Sequence, residues 1–242
     1  MRLTRIYLDC ELRPGSLVEL PPVAAAHVAK VLRARSGDEL TLFNGDGREF
    51  AGTVEEVRGS RVKAAVGSGR LADRESPLLL TLIQCVPRGD RMDFIVQKAT
   101  ELGVARIAPV LSERSVVRLD QAQAQSKTAH WRGIAVGACE QSGRNRLPRI
   151  DPPQPLIDHL GATTGTDLKL VLEPDAGTST LPAEPGAVHI AIGPEGGFAP
   201  AELEAFRIAG FERIGLGPRI LRAETAAIAA LAWLQTRWGD MR

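Results

Sequence analysis

A cluster of glycines near the C-terminus is the feature of this sequence that most directly suggests ligand binding. Gly193-Pro-Glu-Gly-Gly197 follows a predicted strand, Val188–Ile192, and precedes a predicted helix that starts near Pro200. Glycine at the carboxyl end of a buried strand lets backbone amides approach a ligand closely, at the edge where α/β sheets bind their ligands. The segment has the spacing of neither G-x-G-x-x-G nor a Walker A loop, which disfavours the usual dinucleotide and P-loop sites. A tight turn that needs positive φ is the alternative.

Two further strand ends carry residues suited to the same pocket. Gly215-Leu-Gly-Pro-Arg-Ile-Leu-Arg222 lies between a predicted strand and a predicted helix, and Leu172-Glu-Pro-Asp-Ala-Gly177 ends another strand. Because the carboxyl ends of parallel strands meet at one sheet edge, a shared pocket is favoured over unrelated turns. Glu173 would accept hydrogen bonds from ligand hydroxyls there, and an exposed acid in a turn is the alternative.

Metal, disulfide and serine-hydrolase chemistry have no supporting pattern in this chain. The three cysteines, Cys10, Cys85 and Cys139, are scattered and form no CxxC pair, so thiolate zinc sites and disulfide frameworks are not expected. The histidines show no metal-binding spacing, and no G-x-S-x-G elbow is present. The longest apolar runs are half as long as the ~20 residues that a membrane span needs, and no signal core follows the first residues. We therefore expect a cytoplasmic protein without a metal.

The charge distribution keeps a nucleic-acid partner open although the net charge is only +1. The 242 residues include 25 Arg and 5 Lys against 29 acidic residues, and 44% are hydrophobic, which is typical of a globular protein. Residues 113–149 carry a net charge of +4, residues 150–206 carry −8, and residues 207–242 carry +3. A balanced total can thus hide a basic face. Arg144, Arg146 and Arg149 are candidate phosphate contacts, since the planar guanidinium suits phosphates, with solvated surface charge as the alternative.

The elements that must position these residues change in character near residue 70. Residues 1–70 are predicted to be mostly β with one helix, Pro21–Leu32, and such short, closely spaced strands favour a small barrel. Residues 71–76 are charged, contain little apolar sequence and precede Pro77, so they form a candidate linker. The predicted strands are Arg5–Asp9, Glu39–Phe43, Glu49–Val57 and Arg61–Val66.

Over residues 77–242 strands alternate with helices, which predicts a largely parallel α/β sheet. Leu78–Val86 is a continuous apolar run, as expected for a strand buried on both faces. A long helix around Gln121–Ser142 carries Gly133 and Gly137, each of which costs roughly 0.8–1 kcal/mol relative to alanine. Close helix packing, within the chain or across a dimer, would explain both glycines. The other predicted elements are Arg91–Leu102, Ile107–Leu111, a short helix ending near Leu160, Leu168–Leu172, Val188–Ile192, Ala201–Ala209, Arg213–Leu216 and Ala223–Trp238.

Taken in order, segments along almost the whole chain resemble the 16S rRNA uridine-N3 methyltransferases, the RsmE family of the SPOUT class. The specificity lies in the ordered set rather than in any one segment. Ala199 and Ala223 stand where a small hydroxyl residue is expected, which is a mild departure. The matching segments are Arg2–Tyr7, His27 to Arg33, Gly37-Asp38, Leu42–Gly47, Gln97–Val104, Ser112–Val116, Glu140–Arg144 with Pro148, Ile192–Phe198 with Glu202, and Leu216–Ala226.

The resemblance implies a PUA-like N-terminal β-barrel that binds RNA and a C-terminal α/β domain, over residues 77–242, that contains a deep trefoil knot. It also implies S-adenosylmethionine as the cofactor and a homodimer whose sites lie near the subunit interface. By matching motif positions, the predicted cofactor contacts are Leu172, Gly193, Leu216 and Leu221, largely through backbone groups. The rest of the predicted pocket is Glu173, Pro194, Glu195, Gly196, Ile220, Arg222, Thr225 and Ala226.

The implied reaction methylates N3 of one uracil base in the 16S rRNA of the small ribosomal subunit. Since the N3–H group is a weak acid, negative charge must be stabilised as its proton leaves, and Arg222 is the candidate for that role. Glu140 or Glu224 is the candidate proton acceptor, and the alternative is that both hold arginines in place. The predicted RNA contacts are Arg2, Arg5, Arg33, Lys98, Arg114, Arg144 and Arg146.

Three other functions stay open on the sequence. A non-catalytic ribosome-assembly factor would use the same barrel and basic surface but would not bind S-adenosylmethionine. A methyltransferase of the same class would act on a different RNA. A nucleotide-binding hydrolase or transferase would use the glycine loops as phosphate cradles, although the lysine and the metal-coordinating signature of that class are missing.

Overall fold

The division of the chain into two units follows its change from β to α/β sequence. The computed structural model describes residues 4–162, 167–177 and 184–241. The first unit contains the chain up to Glu75 together with Cys139–Leu147, and the second contains Ser76–Ala138 and the chain from Pro148. The sequence, by comparison, predicted a linker at residues 71–76 and placed residues 139–147 in the C-terminal domain.

The first unit is built on a five-stranded sheet; the sequence predicted four of its strands and missed the strand Leu17–Glu19. Its strands are β1 (Thr4–Tyr7), β2 (Leu17–Glu19), β3 (Glu39–Phe43), β4 (Arg48–Arg58) and β5 (Arg61–Leu71). The hydrogen-bonded order is β1-β3-β4-β5-β2, antiparallel except for the β1–β3 pair. β1 and β2 are the ends of this order, so closure into a barrel stays a prediction.

Alternation along the strands produces the core of the first unit. Val62, Ala64 and Val66 of β5 are buried, while the residues between them are partly exposed. The predicted helix is split into α1 (Pro22–Ala26) and a π-helical turn, His27–Val31. Arg33 follows this turn with φ 53°, a left-handed conformation that is uncommon for a non-glycine residue.

Partly buried hydrogen bonds and one ion pair explain why residues 139–147 belong to the first unit. The Arg74 guanidinium donates to the Gly143 carbonyl at 2.8 Å, and the Asn145 side chain donates to the Ala72 carbonyl at 2.6 Å. Arg144 is ion-paired with Glu75. These partners are about 70 residues apart along the chain, a separation that local sequence patterns do not reveal.

The second unit contains a seven-stranded parallel sheet with the order β12-β10-β11-β6-β7-β8, in which β9 also pairs with β7. This confirms the predicted parallel α/β architecture. Its strands are β6 (Leu79–Cys85), β7 (Arg106–Leu111), β8 (Arg149–Ile150), β9 (Gln154–Pro155), β10 (Leu168–Leu172), β11 (Ala187–Ile192) and β12 (Glu212–Ile214). Its helices are α2 (Arg91–Glu101), α3 (Gln121–Ser142, whose last four residues belong to the first unit), α4 (Leu156–Ala162), α5 (Pro200–Ile208) and α6 (Ala223–Trp238).

Helix α3 buries one face of its C-terminal half. Trp131, Ala135 and Ala138 are each at most 2% exposed. A Cβ atom added at Gly133 or Gly137 would meet no atom within 4 Å in the described part of the chain. Close packing within the chain therefore does not explain these two glycines. Over the described ranges, no helix is long and apolar enough to cross a membrane.

Candidate functional site

A cavity of about 260 Å³ opens at the carboxyl ends of β10, β11 and β12. The two glycine loops and the turn after β10 all contribute to it, so the single shared pocket predicted from the sequence is present. The predicted cofactor residues all line it except Gly196 and Thr225. Those that do are Leu172, Glu173, Gly193, Pro194, Glu195, Leu216, Ile220, Leu221, Arg222 and Ala226.

Several lining residues were not predicted from the sequence. Gly217 and Arg219 lie inside the second glycine loop, and Phe198 immediately follows the first. A Cβ atom at Gly193 would lie 3.2 Å from the Phe198 ring, so the backbone there packs directly on an aromatic side chain. Phe198 could have been predicted from the sequence, because an aromatic residue directly after a glycine loop is placed to line the same cavity. The other unpredicted lining residues are Pro174, Ile192, Gly197 and Ala223.

The first glycine loop is held in place by two arginines from neighbouring segments. The Arg91 guanidinium, at the start of α2, pairs with the Glu195 carboxylate at 2.7 Å. The Arg114 guanidinium donates to the Gly196 carbonyl at 2.9 Å. Gly196 therefore faces Arg114 instead of the cavity, which explains its absence from the lining.

A buried carboxylate ties the Arg114 segment to the helix that follows the loop. Glu202, only 5% exposed, accepts hydrogen bonds from the backbone amides of Glu113 and Ala199, each at 2.8 Å. The second bond caps the N-terminus of α5, where Ala199 supplies no side-chain oxygen of its own. Glu202 thus fixes residues 113–114 relative to the chain that leaves the glycine loop.

The second glycine loop, Gly215–Arg222, approaches the turn after β10 very closely. A Cβ atom at Gly215 would overlap the carbonyl oxygen of Ala176, so only glycine fits at this crossing. Gly217 adopts φ 83°, a conformation that favours glycine. Arg222 then precedes α6, and Thr225 is exposed outside the cavity lining.

The charged groups of the cavity provide both an acceptor and unpaired cations. Burial raises the pKa of the Glu173 carboxyl, an effect that Arg213, 3.5 Å away, partly offsets. Arg219 and Arg222 are exposed, and neither has a carboxylate partner among the described residues. The cavity thus offers a carboxylate for ligand hydroxyls and positive charge for a developing anion.

The two candidate proton acceptors lie in different units. Glu224 belongs to the first turn of α6, two residues from Arg222, and its Oε2 atom is buried without a hydrogen-bond partner in the described chain. Glu140 belongs to the first unit, where its Oε1 atom accepts a hydrogen bond from the Tyr7 amide at 2.9 Å. Burial raises the pKa of Glu140. The Glu140 carboxylate is therefore already engaged in structure, whereas that of Glu224 has an unused oxygen.

Two predicted RNA contacts need correction because they are buried. Arg5 is 8% exposed and donates to Glu49 at 2.8 Å, and Arg144 is 4% exposed and pairs with Glu75. Their guanidinium groups stabilise the first unit and are not presented on its surface. Arg2 lies outside the described residues.

The remaining predicted RNA contacts reach solvent to different degrees. Arg33, Arg114 and Arg146 are exposed. Arg146 also packs on the turn of β3–β4, where a Cβ atom at Gly47 would lie 2.7 Å from its Nη2 atom. Lys98 is half-buried and its ammonium is 2.8 Å from the Glu101 carboxylate. RNA contact by these four residues stays a prediction.

Comparison with sequence families gives two matches that together cover most of the chain. A family model described as an RNA methyltransferase domain matches residues 74–235. A second model, described as an RNA methyltransferase PUA domain, matches residues 24–66. The first match covers the cavity and both glycine loops, and the second covers most of the five-stranded sheet.

Individual relatives agree with these matches over their full length. The ribosomal RNA small subunit methyltransferase E of Buchnera aphidicola (subsp. Schizaphis graminum) is 34% identical, over 99% of this chain and 98% of its own. The crystal structure of the same enzyme from Neisseria gonorrhoeae, bound to S-adenosylmethionine, is 39% identical with a TM-score of 0.91 and covers 100% of both chains. A putative methyltransferase from Legionella pneumophila, solved with bound cofactor SAM, is 43% identical with a TM-score of 0.94, over 99% of this chain and 100% of that one.

Proposed function

We propose, from the premise that this chain belongs to the ribosomal RNA small subunit methyltransferase E family, that it methylates N3 of a specific uridine in 16S rRNA. The chain is an S-adenosylmethionine-dependent rRNA methyltransferase with an RNA methyltransferase domain and a PUA domain. The base and the ring atom are our proposal. The observation that carries it is the cavity at the strand ends, which is lined by both glycine loops and by Arg222, an arginine that makes no ion pair with the described part of the chain.

The cavity residues fit S-adenosylmethionine by their chemistry. Leu172, Gly193, Leu216 and Leu221 line a largely apolar space, as an adenosyl group requires. Glu173 lies at the mouth of β10, where its carboxylate can accept hydrogen bonds from ribose hydroxyls. The bound cofactor supplies an electrophilic methyl group on its sulfonium.

Arg222 stabilises the charge that develops on the base. When the N3 proton leaves, negative charge spreads over O2, N3 and O4 of the uracil ring. The Arg222 guanidinium is exposed and has no carboxylate partner in the described chain, so its positive charge is available to stabilise that anion. Holding N3 in line with the methyl donor supplies the remaining rate enhancement.

Glu224 is our choice as the acceptor of the N3 proton. It lies on the same helix turn as the cavity residues Ala223 and Ala226, and its Oε2 atom has no hydrogen-bond partner in the described part of the chain. An acceptor must reach the proton that it removes, directly or through one water. Glu140 is a weaker choice because the Tyr7 amide already occupies its Oε1 atom.

We further propose a homodimer and a trefoil knot. Gly133 and Gly137 form an open stripe on α3 that no described residue of the same chain covers, which favours packing against a second copy. The tight crossing of Gly215 over the 173–177 turn is what a threaded chain requires. Light scattering should give twice the 26.0 kDa of the chain, and closure of the termini of an experimental backbone trace should leave a trefoil.

The deciding experiment supplies labelled S-adenosylmethionine and unmodified small subunits, then maps the methyl group by mass spectrometry. A mark on N3 of one uridine in 16S rRNA is the expected result. A mark on cytidine, on a ribose or on transfer RNA would contradict the proposed specificity. Binding to subunits without any transfer would instead indicate an assembly factor. The same substrate places the protein in the cytoplasm.

A further inference from the structure

A second cavity lies in the methyltransferase unit, apart from the one assigned to the cofactor and the target base. It measures about 170 Å³. Four parts of the unit form its wall: the end of β6, α2, the segment between β7 and α3, and α3. The apolar residues of this wall are Val86, Pro87, Met92, Val117, Leu119 and Trp131. Since pockets for drug-sized ligands measure roughly 300–1,000 Å³, this one is suited to a single heterocycle.

The rim of this cavity carries one anion and one cation that are free to bind a ligand. Asp90 and Lys127 both line it, both are exposed, and the described structure gives neither side chain an ion-pair or hydrogen-bond partner. Gly89, also at the rim, has φ 66° and would place a Cβ atom in open space. An apolar slot beside an acceptor and an ammonium matches a nucleotide, with its ring inside, a ring N–H toward Asp90 and its phosphate near Lys127.

Two of the segments that form this cavity also contact the first glycine loop, which lines the cofactor cavity. Asp90 lines the second cavity, and the next residue, Arg91, pairs at 2.7 Å with Glu195, which lines the first. The segment between β7 and α3 makes the same connection. Its Arg114 binds the Gly196 carbonyl, whereas its Val117 lines the second cavity. Residues 90–91 and 114–117 therefore connect the second cavity to the glycine loop of the first.

We propose that this second cavity binds the base of a nucleotide adjacent to the target uridine in the same RNA strand. The inference rests on the proposed function, because it needs an RNA substrate at the first cavity. Enzymes that modify a base extrude it from the stack and read it in a snug pocket, and proteins commonly take up unstacked bases between apolar side chains. Capture of the neighbour fixes the register of the strand, so the cavity selects which uridine reaches the methyl donor.

The test compares Val117→Trp, which fills the cavity, with Val116→Trp, an exposed neighbour outside the lining. Val117→Trp should lower kcat/KM for unmodified small subunits by roughly 5- to 150-fold, the range for losing one stacked base. Val116→Trp should stay within two-fold of wild type. The calorimetric Kd for S-adenosylmethionine should be unchanged in both, since neither position lines the cofactor cavity.

Lys127→Ala provides a second variant that keeps the inference testable if Val117→Trp does not fold. At this exposed position it should weaken subunit binding and reduce the slope of log K against log salt by about 1, as loss of one phosphate contact does. Equal kcat/KM values for Val117→Trp and Val116→Trp, or an unchanged salt slope for Lys127→Ala, would overturn this inference. The proposed function would still stand in that case, provided that the wild-type enzyme methylates the uridine. A wild-type enzyme that methylates no uridine would remove the proposed function itself, and this inference with it.

Discussion

At the scale of single residues, the arginines around the cofactor cavity fall into two groups. Arg91 and Arg213 are paired with the carboxylates of Glu195 and Glu173. Arg222 lines the cavity and, with the part of the chain that the structure describes, makes no ion pair. A paired guanidinium has its field cancelled locally, whereas an unpaired one stabilises a new anion at full strength. We therefore propose different roles for the two groups, positioning of the loops for the paired arginines and charge stabilisation for Arg222.

Replacing Arg222 by alanine should remove methyl transfer and spare cofactor binding. We expect kcat to fall by about 10²–10³-fold, the loss found when one charge-stabilising donor is deleted. The Kd for S-adenosylmethionine, measured by calorimetry, should change by no more than a few-fold. Arg222→Lys keeps the charge but loses the planar fork, so it should recover part of the rate. Equal losses of rate and cofactor affinity would make Arg222 a cofactor-binding residue instead.

Glu224 and Glu140 can be separated by matched substitutions to glutamine. Glu224→Gln should lower the single-turnover rate of methyl transfer by about 10²–10⁴-fold, the usual contribution of a general base. Glu140→Gln retains an oxygen that can accept the Tyr7 amide, so the structure of the first unit should be kept. A large rate loss in Glu140→Gln alone would transfer the role of proton acceptor to that residue.

The sequence predicted the lining of the cofactor cavity better than it predicted the RNA-binding surface. Glycine loops after predicted strands, together with the family resemblance, located most of the cavity lining, because a ligand-binding turn needs local residue types. The burial of Arg5 was not predictable in this way. Its partners Glu49 and Asn145 are 44 and 140 residues away along the chain, and no local pattern encodes such a contact. The matching motifs therefore predict RNA contact for basic residues that include Arg5 and Arg144, although these two are structural.

At the scale of elements, Glu202 connects three segments that have to be placed together. Glu202→Gln can accept only one of the two amide hydrogen bonds, so either Glu113 or Ala199 would be left facing an NH₂ group. An unsatisfied buried group costs about 1–3 kcal/mol. The first glycine loop, which directly precedes α5, should then be less well ordered.

The measurable consequence is a change in cofactor affinity rather than in chemistry. The KM for S-adenosylmethionine should rise about tenfold in Glu202→Gln, corresponding to about 1.4 kcal/mol, with kcat at saturating cofactor nearly unchanged. Glu204→Gln is the matched control, because that acid lies on the same helix but is exposed and paired with Arg207. A fall in kcat without a change in KM would show that Glu202 does not act by positioning the loop.

The ion cluster around Glu49 makes the stability of the first unit depend on pH. Burial by itself raises the pKa of this carboxyl, but Arg5, Arg74 and Arg70 together lower it to about 2 from 4.5. The stabilisation is therefore complete above pH 4.5 and is lost as the pH falls toward 2. Hydrogen exchange of the β4 and β5 amides should show protection decreasing over this interval.

Glu49→Gln should abolish that dependence and weaken the unit at neutral pH. Removing the anion leaves a buried guanidinium, Arg5, without its charge partner, a loss of about 3–5 kcal/mol. Amide exchange in β4 should be faster at pH 7 by the factor that corresponds to this loss of stability. The amides of β6 belong to the second unit, so their exchange should not change and serves as the control. Unchanged protection in β4 would mean that the cluster contributes no net stability.

The elements themselves were mostly predictable because they have strong periodicity. The sequence bounds of α3, α6, β3 and β10 coincide with the observed ones. β8 and β9 were missed because strands of two residues are defined by pairing with β7 and not by local propensity. Their existence is a property of the assembled sheet.

At the scale of the whole molecule, the net charge of +1 gives no indication of RNA binding, because local charge decides it. Correction of Arg5 and Arg144 leaves Arg33, Lys98, Arg114 and Arg146 as the described residues of the predicted RNA contacts, and the second cavity adds Lys127. Each neutralised phosphate contributes about −0.7 to −0.9 to the slope of log K against log salt. Five contacts predict a slope of about −4 for binding to unmodified small subunits.

This slope can be measured between about 50 and 200 mM salt, and single substitutions then show how much each basic residue contributes to it. Arg33→Ala and Arg146→Ala should each make it less steep by about 1, and Arg5→Ala should reduce stability instead. Arg207→Ala is the matched control, because this arginine is exposed but paired with Glu204 at 2.6 Å. A slope that Arg33→Ala and Arg146→Ala leave unchanged would mean that the RNA is held by other residues of the chain. A slope near zero would mean that shape and base contacts, not charge, bring the subunit to the enzyme.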